Sequence, residues 1–267
     1  MRLATAGDNC IDRYRPPLGF GLAGGNAVNV AVQFKALGHE VHYFGAVGED
    51  AAGVTIRATL AEQGVGLHGL RVIAGAPTAY TDIASASGGE RQFLFEEFGA
   101  TALYRPQPED VEAMLGMDHV HIGWLRDGGA LKRQLVASGV SVSQDVSVNN
   151  APEHLSPEGL TVAFASARPA DAVARLQALL ASGALAAVVT MGAAGGIASD
   201  GILTMHATAL AVSPVDTSGA GDSFIAGFLH GHLGGADLAA SLRLGAERGR
   251  LACLHYGGFA QKPRPLD

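Results

Sequence analysis

Short apolar segments alternate with longer amphipathic segments along most of the chain. The short segments have the length of buried strands, and the long ones repeat apolar residues every three or four positions, as helices do. This alternation is typical of a mostly parallel sheet covered by helices. It predicts strands at residues 3–7, 41–45, 120–122, 140–145, 160–164 and 187–190, and helices at residues 26–37, 54–63, 131–138, 171–182, 221–231 and 237–256.

One region interrupts this alternation with two consecutive extended segments. Residues 80–85 and 91–95 are predicted strands, and the Ser-Gly-Gly-Glu segment at 87–90 is typical of a hairpin turn. Two neighbouring strands without a helix between them indicate an excursion from the main sheet. We therefore expect a small β lid, formed by about residues 12–20 and 78–97.

Composition and charge exclude several classes of protein. The 267 residues carry 18 Lys and Arg against 25 Asp and Glu, a formal net charge of −7, whereas nucleic-acid binding needs clustered cations. The longest apolar runs are too short to cross a bilayer, and the first residues lack the apolar core of a signal peptide. Two cysteines are too few for a disulfide scaffold and are typical of a reducing compartment. We expect one cytoplasmic domain over residues 1–267, with a loose tail from residue 261 and no nucleic-acid or membrane partner.

Glycine is about twice as frequent as usual, with 37 residues, and its clusters indicate candidate ligand sites. The first cluster, Gly24 and Gly25, directly precedes the predicted helix at 26–37, where unpaired amides are available. Asn26 either caps that helix or, together with Asn29 one turn later, faces a ligand. Both interpretations stay open.

The second cluster, in residues 216–224, gives the strongest signal for catalysis. Gly219, Ala220 and Gly221 directly precede an apolar helix and can present consecutive amides to an anion. Asp222 lies in the first turn of that helix, where it either complements the helix dipole or accepts a proton from an attacking hydroxyl. We favour the second role because an amide nest, a helix start and a carboxylate occur together.

The third cluster follows the predicted strand at 187–190. Thr190, Gly192 and Gly195 lie at its carboxyl end, where ligands bind in open α/β sheets, although a simple turn explains the segment equally well. Other motifs are absent: the chain has no Gly-Lys pair for a P-loop and no Gly-x-Ser-x-Gly elbow. His119 and His121 alternate on one strand face without a recognisable metal pattern.

These segments resemble the two signatures of the PfkB (ribokinase-like) carbohydrate kinases. Residues 24–31, 37–38 and 45–53 are similar to the first signature, and residues 216–224 to the second, so the resemblance covers essentially the whole chain. Within the family, residues 7–12 and 24–32 are most similar to the fructoselysine 6-kinases.

The resemblance implies a ribokinase-like three-layer α/β/α sandwich with a mostly parallel central sheet and a small β lid. It implies Mg²⁺-assisted transfer of the γ-phosphoryl group of ATP to a sugar hydroxyl, here the 6-hydroxyl of fructoselysine or a related fructosamine. A fructokinase, ribokinase or 2-keto-3-deoxygluconate kinase is the alternative, as is a non-catalytic sugar or nucleotide sensor with the same fold. The chain would be a monomer or a homodimer formed through the lid.

The family also implies roles for individual residues. Many relatives carry an Asn-x-x-Glu segment that helps to organise the metal and phosphate, where this chain has Ser166-Ala167-Arg168-Pro169, so we expect its metal shell to differ. The implied roles are catalysis for Asp222, Gly219, Ala220 and Gly221; sugar binding for Asp8, Asp12, Gly25, Asn26 and Asn29; nucleotide binding for Thr190, Gly192, Gly195, Ser218, His255 and Gly257; and a monovalent cation, K⁺, at Asp216.

Overall fold

The main sheet is mostly parallel and is covered by helices on both faces. The computed structural model describes residues 1–85, 91–148, 154 and 156–266; the predicted turn at 87–90 lies outside these residues. Among the described residues, no helix is both long and apolar enough to cross a membrane. The helices are α1 (Asn26–Ala36), α2 (Ala51–Glu62), α3 (Gly99–Leu103), α4 (Pro108–Leu115), α5 (Ala130–Ala137), α6 (Ala172–Ala181), α7 (Ala220–Leu233) and α8 (Leu238–Ala252).

The strands form two sheets. In chain order they are β1 (Arg2–Ala6), β2 (Cys10–Tyr14), β3 (Phe20–Gly24), β4 (Glu40–Gly48), β5 (Gly66–Ile73), β6 (Tyr80–Ser85), β7 (Arg91–Glu97), β8 (His119–Ile122), β9 (Val142–Asp145), β10 (Val162–Ser166), β11 (Ala187–Thr190), β12 (Gly196–Ser199), β13 (Thr204–Ala207) and β14 (Arg264–Pro265). The described part of the main sheet has the order β13-β12-β11-β10-β9-β8-β1-β4-β5, with antiparallel pairing only at β12 and β13. The predicted α/β class is confirmed.

Side chains alternate between the two faces of the main sheet, and each face has its own apolar core. On β1, Leu3 packs with residues of α1, α2, α7 and α8, whereas Ala4 packs with residues of α4, α5 and α6. Both side chains are fully buried. Each Å² of apolar surface buried on either face contributes about 25 cal/mol of stabilising free energy, and this burial holds the three layers together.

The second sheet has the order β14-β3-β2-β6-β7 and contains the expected hairpin strands. It also includes β3, in which Phe20 and Gly21 pair with β14. The expectation of a loose tail is therefore wrong at Arg264–Pro265. The edge of β3 offers unpaired backbone groups, and proline is tolerated in an edge strand because that strand needs fewer amide donors.

Candidate active site

The first turns of α1 and α7 meet at Asp222. Asn26 Nδ2 donates to Asp222 Oδ1 at 2.7 Å, and Asn29 Nδ2 donates to Asp222 Oδ2, also at 2.7 Å. The two amides reach one carboxylate because residues three apart lie on the same side of a helix. Asn26 therefore holds Asp222 and does not cap α1; its side chain makes no capping hydrogen bond.

Asp8, in the loop between β1 and β2, supplies the cap that α1 needs. Its carboxylate accepts the backbone amides of Asn26 at 2.6 Å, Ala27 at 3.2 Å and Trp124 at 2.8 Å. Burial raises the pKa of the Asp8 carboxyl to about 6, although these three amides oppose the shift. Asp8, expected near the sugar, thus joins the start of α1 to the loop after β8.

Asp12 lies on β2 directly beside the glycine pair. A Cβ at Gly24 would stand 2.4 Å from Asp12 Oδ2, and Cys10 Sγ donates to Asp12 Oδ1 at 3.3 Å. Gly25 has a φ of +105°, and a Cβ there would stand 2.7 Å from Asn9 Cα. The glycine pair is therefore needed for the close packing of the second sheet against the start of α1.

Gly219 opens α7 with a φ of +66°. A Cβ at Gly219 would stand 2.3 Å from Gly258 Cα, so no side chain fits there. The Ala220 amide donates to Thr217 O at 3.3 Å within the turn, while at Gly221 a Cβ would meet nothing within 4 Å. The turn leaves the positive end of the α7 dipole open beside Asp222, which suits an anionic phosphoryl group.

Asp216 is almost fully buried and has hydrogen-bond donors on both oxygens. Oδ1 accepts from Ser218 N at 3.0 Å and Ser218 Oγ at 2.8 Å, and Oδ2 accepts from the Tyr14 hydroxyl and from Gly257 N at 2.9 Å. Burial acts to raise the pKa of Asp216, but these donors together hold it below its usual value. The side chains present do not fit the expected monovalent cation, because four donors fill the acceptor positions of this carboxylate. Ser218 and Gly257, expected near the nucleotide, both belong to this cluster.

The remaining nucleotide candidates lie at two places. Thr190 ends β11, where its Oγ1 lies 3.0 Å from Ser166 Oγ. Next to it, Gly192 has a φ of +57° with open space around it, whereas a Cβ at Gly195 would stand 2.0 Å from Ala207 O. Gly192 therefore leaves room for a ligand, and Gly195 serves the turn into β12. His255 lies after α8, beside a cavity of about 190 Å³.

Arg168 lies in the segment that corresponds to the family's metal-organising Asn-x-x-Glu. Its guanidinium pairs with Asp171 at 2.7 Å, and both side chains are exposed. The expected difference in the metal shell at this segment stays a prediction.

Two buried residues beside this site escape prediction from the sequence. Asp145 ends β9, and burial, together with the charges of Asp222 and Asp8, raises the pKa of its carboxyl to about 6. On β8, His121 Nε2 lies 3.1 Å from Asn26 Oδ1. For Asp145, the one available signal in the sequence was its position at the carboxyl end of a predicted strand, where ligands bind in open α/β sheets.

Comparison with known proteins gives a consistent result. A family model described as pfkB family carbohydrate kinase matches residues 22–126 and 157–264. The chain is 35% identical over 262 residues to fructoselysine 6-kinase of Escherichia coli (strain K12), covering 96% of this chain and 99% of that protein. It is 32% identical to fructosamine kinase FrlD of Bacillus subtilis (strain 168), covering 97% and 93%. Its fold matches that of Arabidopsis thaliana ribokinase complexed with ribose and ATP, with a TM-score of 0.85 at 22% identity over 96% and 93% of the two chains.

Proposed function

Because the chain belongs to the pfkB family of carbohydrate kinases, we propose that it transfers the γ-phosphoryl group of ATP to the 6-hydroxyl of fructoselysine or a related fructosamine. The observation that carries this proposal is Asp222, which two side-chain amides hold where the starts of α1 and α7 meet. A carboxylate at that point can accept the proton of an attacking hydroxyl. The same helix start attracts the phosphoryl group that the hydroxyl attacks.

In the proposed mechanism Asp222 removes the proton of the sugar hydroxyl as its oxygen attacks the γ-phosphorus. The amides of Gly219 and Gly221 hold the charge that grows on the transferred group, and the Ala220 amide joins them only by giving up its 3.3 Å bond to Thr217 O. Most of the catalysis comes from positioning and electrostatics, because the transition state of phosphoryl transfer is loose. Asn26 and Asn29 keep Asp222 in place.

The residues present fit the Mg²⁺ ion that the family implies. Among the described residues, no group of three or more His, Cys, Asp or Glu side chains is arranged around a metal ion. Mg²⁺ that arrives with ATP needs only one or two protein carboxylates, because phosphates and water complete its shell. Asp145, a buried carboxyl at the end of β9 whose pKa the charge of Asp222 helps to raise, would hold it. When bound, the ion neutralises charge on the β- and γ-phosphates.

The comparison with relatives and two features of the site support a fructosamine as the acceptor. The relatives that match nearly the full chain are a fructoselysine 6-kinase and a fructosamine kinase. The carboxylates Asp12, Asp145 and Asp222 favour a substrate with an amine over an acid such as 2-keto-3-deoxygluconate. The rings of Phe98 and Trp124 stack with centroids 4.6 Å apart next to Asp8, forming an apolar wall for an alkyl chain.

A screen of ADP release tests the proposed reaction. The purified chain, with ATP and Mg²⁺, is offered fructoselysine, a second Amadori adduct, fructose, ribose and 2-keto-3-deoxygluconate. We expect the highest kcat/KM for the two amine-linked sugars. Turnover on plain sugars alone would assign the chain to the fructokinase or ribokinase alternative, and no turnover on any sugar would support the sensor alternative.

Asp12 is the proposed contact for the sugar hydroxyls, and Asp12→Asn tests it. A hydrogen bond to a charged group contributes about 1.5–3 kcal/mol, so we expect the KM for the sugar to rise about 10- to 100-fold. The KM for ATP should change less than about threefold, since Asp12 lies on the lid strand β2. Steady-state kinetics with each substrate varied in turn makes the comparison, and an equal rise of both KM values would contradict the assignment.

The hydrogen bond from Tyr14 to Asp216 leads to a prediction about the effect of monovalent cations on turnover. Because its hydroxyl donates to Asp216 Oδ2, we propose that turnover does not depend on K⁺. The rate should agree within about twofold in potassium, sodium and choline chloride. Tyr14→Phe removes one donor from Asp216, so the variant should become slower and regain activity when K⁺ is added. A wild-type rate that rises severalfold with K⁺ would show that a cation binds despite Tyr14.

The sequence left two oligomeric states open, a monomer and a homodimer formed through the lid. Leu94 and Phe95, on the edge strand β7, expose about half of their surface, 54% and 51%. We propose the homodimer because an edge strand with exposed apolar side chains is suited to pairing with a second copy.

A further inference from the structure

Two buried histidines on β8 have no part in the mechanism above, although they connect directly to it. His119 and His121 are both fully buried. His121 Nε2 lies 3.1 Å from Asn26 Oδ1, and His121 Nδ1 lies 2.9 Å from Ser143 Oγ. His119 Nε2 lies 2.8 Å from the same Ser143 Oγ. A continuous chain of hydrogen bonds thus runs from Asp222 through Asn26 into the centre of the sheet.

The ionised carboxylate of Asp222 determines the direction of every hydrogen bond in this chain. A carboxylate only accepts, so Asn26 must turn its NH₂ group to Asp222 and its carbonyl oxygen to His121. An oxygen that faces Nε2 requires a proton there, so His121 donates from Nε2. A neutral imidazole then accepts at Nδ1, which makes the Ser143 hydroxyl its donor. Ser143 Oγ in turn accepts from His119 Nε2.

The surroundings of both imidazoles agree with neutral rings. Burial, and for His119 also the charge of His232, lowers the pKa of each ring to about 3. Each ring therefore has a single N–H at neutral pH. With His119 donating from Nε2, its Nδ1 accepts from the Ser141 hydroxyl at 2.7 Å, and that hydroxyl then no longer donates to Thr161 Oγ1. The acidic groups whose charges interact near Asp222 are Asp8 and Asp145.

We infer that His121 is a positioning residue, which fixes the Asn26 side chain so that its NH₂ group and not its oxygen faces Asp222. Without the His121 donor, the Asn26 amide can turn over and place its oxygen against the carboxylate. That arrangement repels the ionised form of Asp222 and favours the protonated one, which cannot accept a proton from a sugar. The inference rests on the proposed role of Asp222 as the base.

His121→Phe, which keeps the bulk of the ring and removes the donor, tests this role. We expect kcat to fall about 10- to 100-fold, with the KM values for ATP and sugar within about threefold of wild type. The acidic limb of the kcat–pH profile should move to higher pH. His121→Gln, whose amide can donate from a position near Nε2, should restore most of the rate.

His39→Phe is the matched control. His39 is also buried, but it packs against Phe34 and pairs with His230 at 2.9 Å, away from Asp222. This variant should keep the wild-type kcat and pH profile. An unchanged pH profile in His121→Phe, or a loss that His121→Gln does not reverse, would overturn the inference.

The tautomer of His121 gives a readout that does not need activity. Long-range ¹H–¹⁵N correlation on the wild-type protein should show a protonated Nε2 and a bare Nδ1, with no titration between pH 5 and 9. A protonated Nδ1 would overturn the inference even in an active kinase. An inactive wild type with the expected tautomer would contradict the proposed function and leave the hydrogen-bond chain standing.

Discussion

Asp222→Asn should reduce kcat by about 10³- to 10⁴-fold while leaving the affinity for ATP near its wild-type value. A general base contributes about 10²–10⁴-fold to a rate, and an amide cannot take the proton of the sugar hydroxyl. Asn26 and Asn29 donate to the two oxygens of Asp222 at 2.7 Å, so the change also replaces one of these two acceptors with an NH₂ donor. ADP release measures the rate, and titration calorimetry measures ATP binding.

Asp237→Asn is the control, because it also replaces one aspartate at the start of a helix with asparagine. Asp237 caps the neighbouring helix α8 by accepting the Ala240 amide at 2.7 Å, and asparagine caps a helix about as well as aspartate. The control variant should therefore keep wild-type stability and activity. If Asp222→Asn turns over at a rate comparable to wild type, Asp222 is not the base.

Gly219→Ala should lower kcat by about 10²- to 10³-fold and also lower the melting temperature. Gly219 has a φ of +66°, and an added Cβ would stand 2.3 Å from Gly258 Cα, so the turn before α7 must move. Moving that turn displaces the amides proposed to hold the phosphoryl charge, and the loss of one such donor costs about 10²–10³ in rate. Calorimetry reports the stability and ADP release the rate.

The matched variant is Gly201→Ala, in the turn between β12 and β13. Gly201 also has a positive φ, of +85°, but nothing lies within 4 Å of an added Cβ. It carries the same backbone strain without the collision, so it should lose some stability and keep its kcat. Equal losses of kcat in the two variants would contradict the proposal that the turn at Gly219 has a specific role in catalysis.

Much of the fold follows from local patterns in the sequence. The apolar repeat and the glycine at 38 predict a helix at residues 26–37, and α1 spans Asn26–Ala36. The family and kinase class inferred from residues 24–31 and 216–224 are confirmed by the family model that matches both halves of the chain. These features could be predicted because each depends on residues that are close together in the sequence.

Features that depend on distant partners could not be predicted in the same way. The strand β14 pairs with β3 more than 200 residues earlier, whereas the two prolines of the tail had indicated a loose end. Likewise, Tyr14 reaches Asp216 across 202 positions, so its hydrogen bond to that carboxylate could not be anticipated when the family resemblance implied a cation there. Local spacing carries no information on such contacts.

In the candidate site, too, local features could be predicted from the sequence and contacts between distant residues could not. The spacing of Asn26 and Asn29 indicated that both amides could face one ligand, whereas in the structure both donate to Asp222. Their sugar-binding role stays a prediction. The family resemblance implied sugar binding for Asp8, whose carboxylate in the structure accepts backbone amides of α1 and of Trp124. His121 offered no signal beyond its alternation with His119. The proposed roles of these residues remain predictions until the variants above are measured.

The position of the transferred phosphate tests the central proposal most directly. The chain is incubated with ATP, Mg²⁺ and fructoselysine, and the product is examined by ¹H–³¹P correlation. We predict a single phosphoester whose phosphorus couples to the two protons on C6 of the sugar. A phosphorus coupled to a single ring proton, or the absence of any sugar phosphoester, would contradict it.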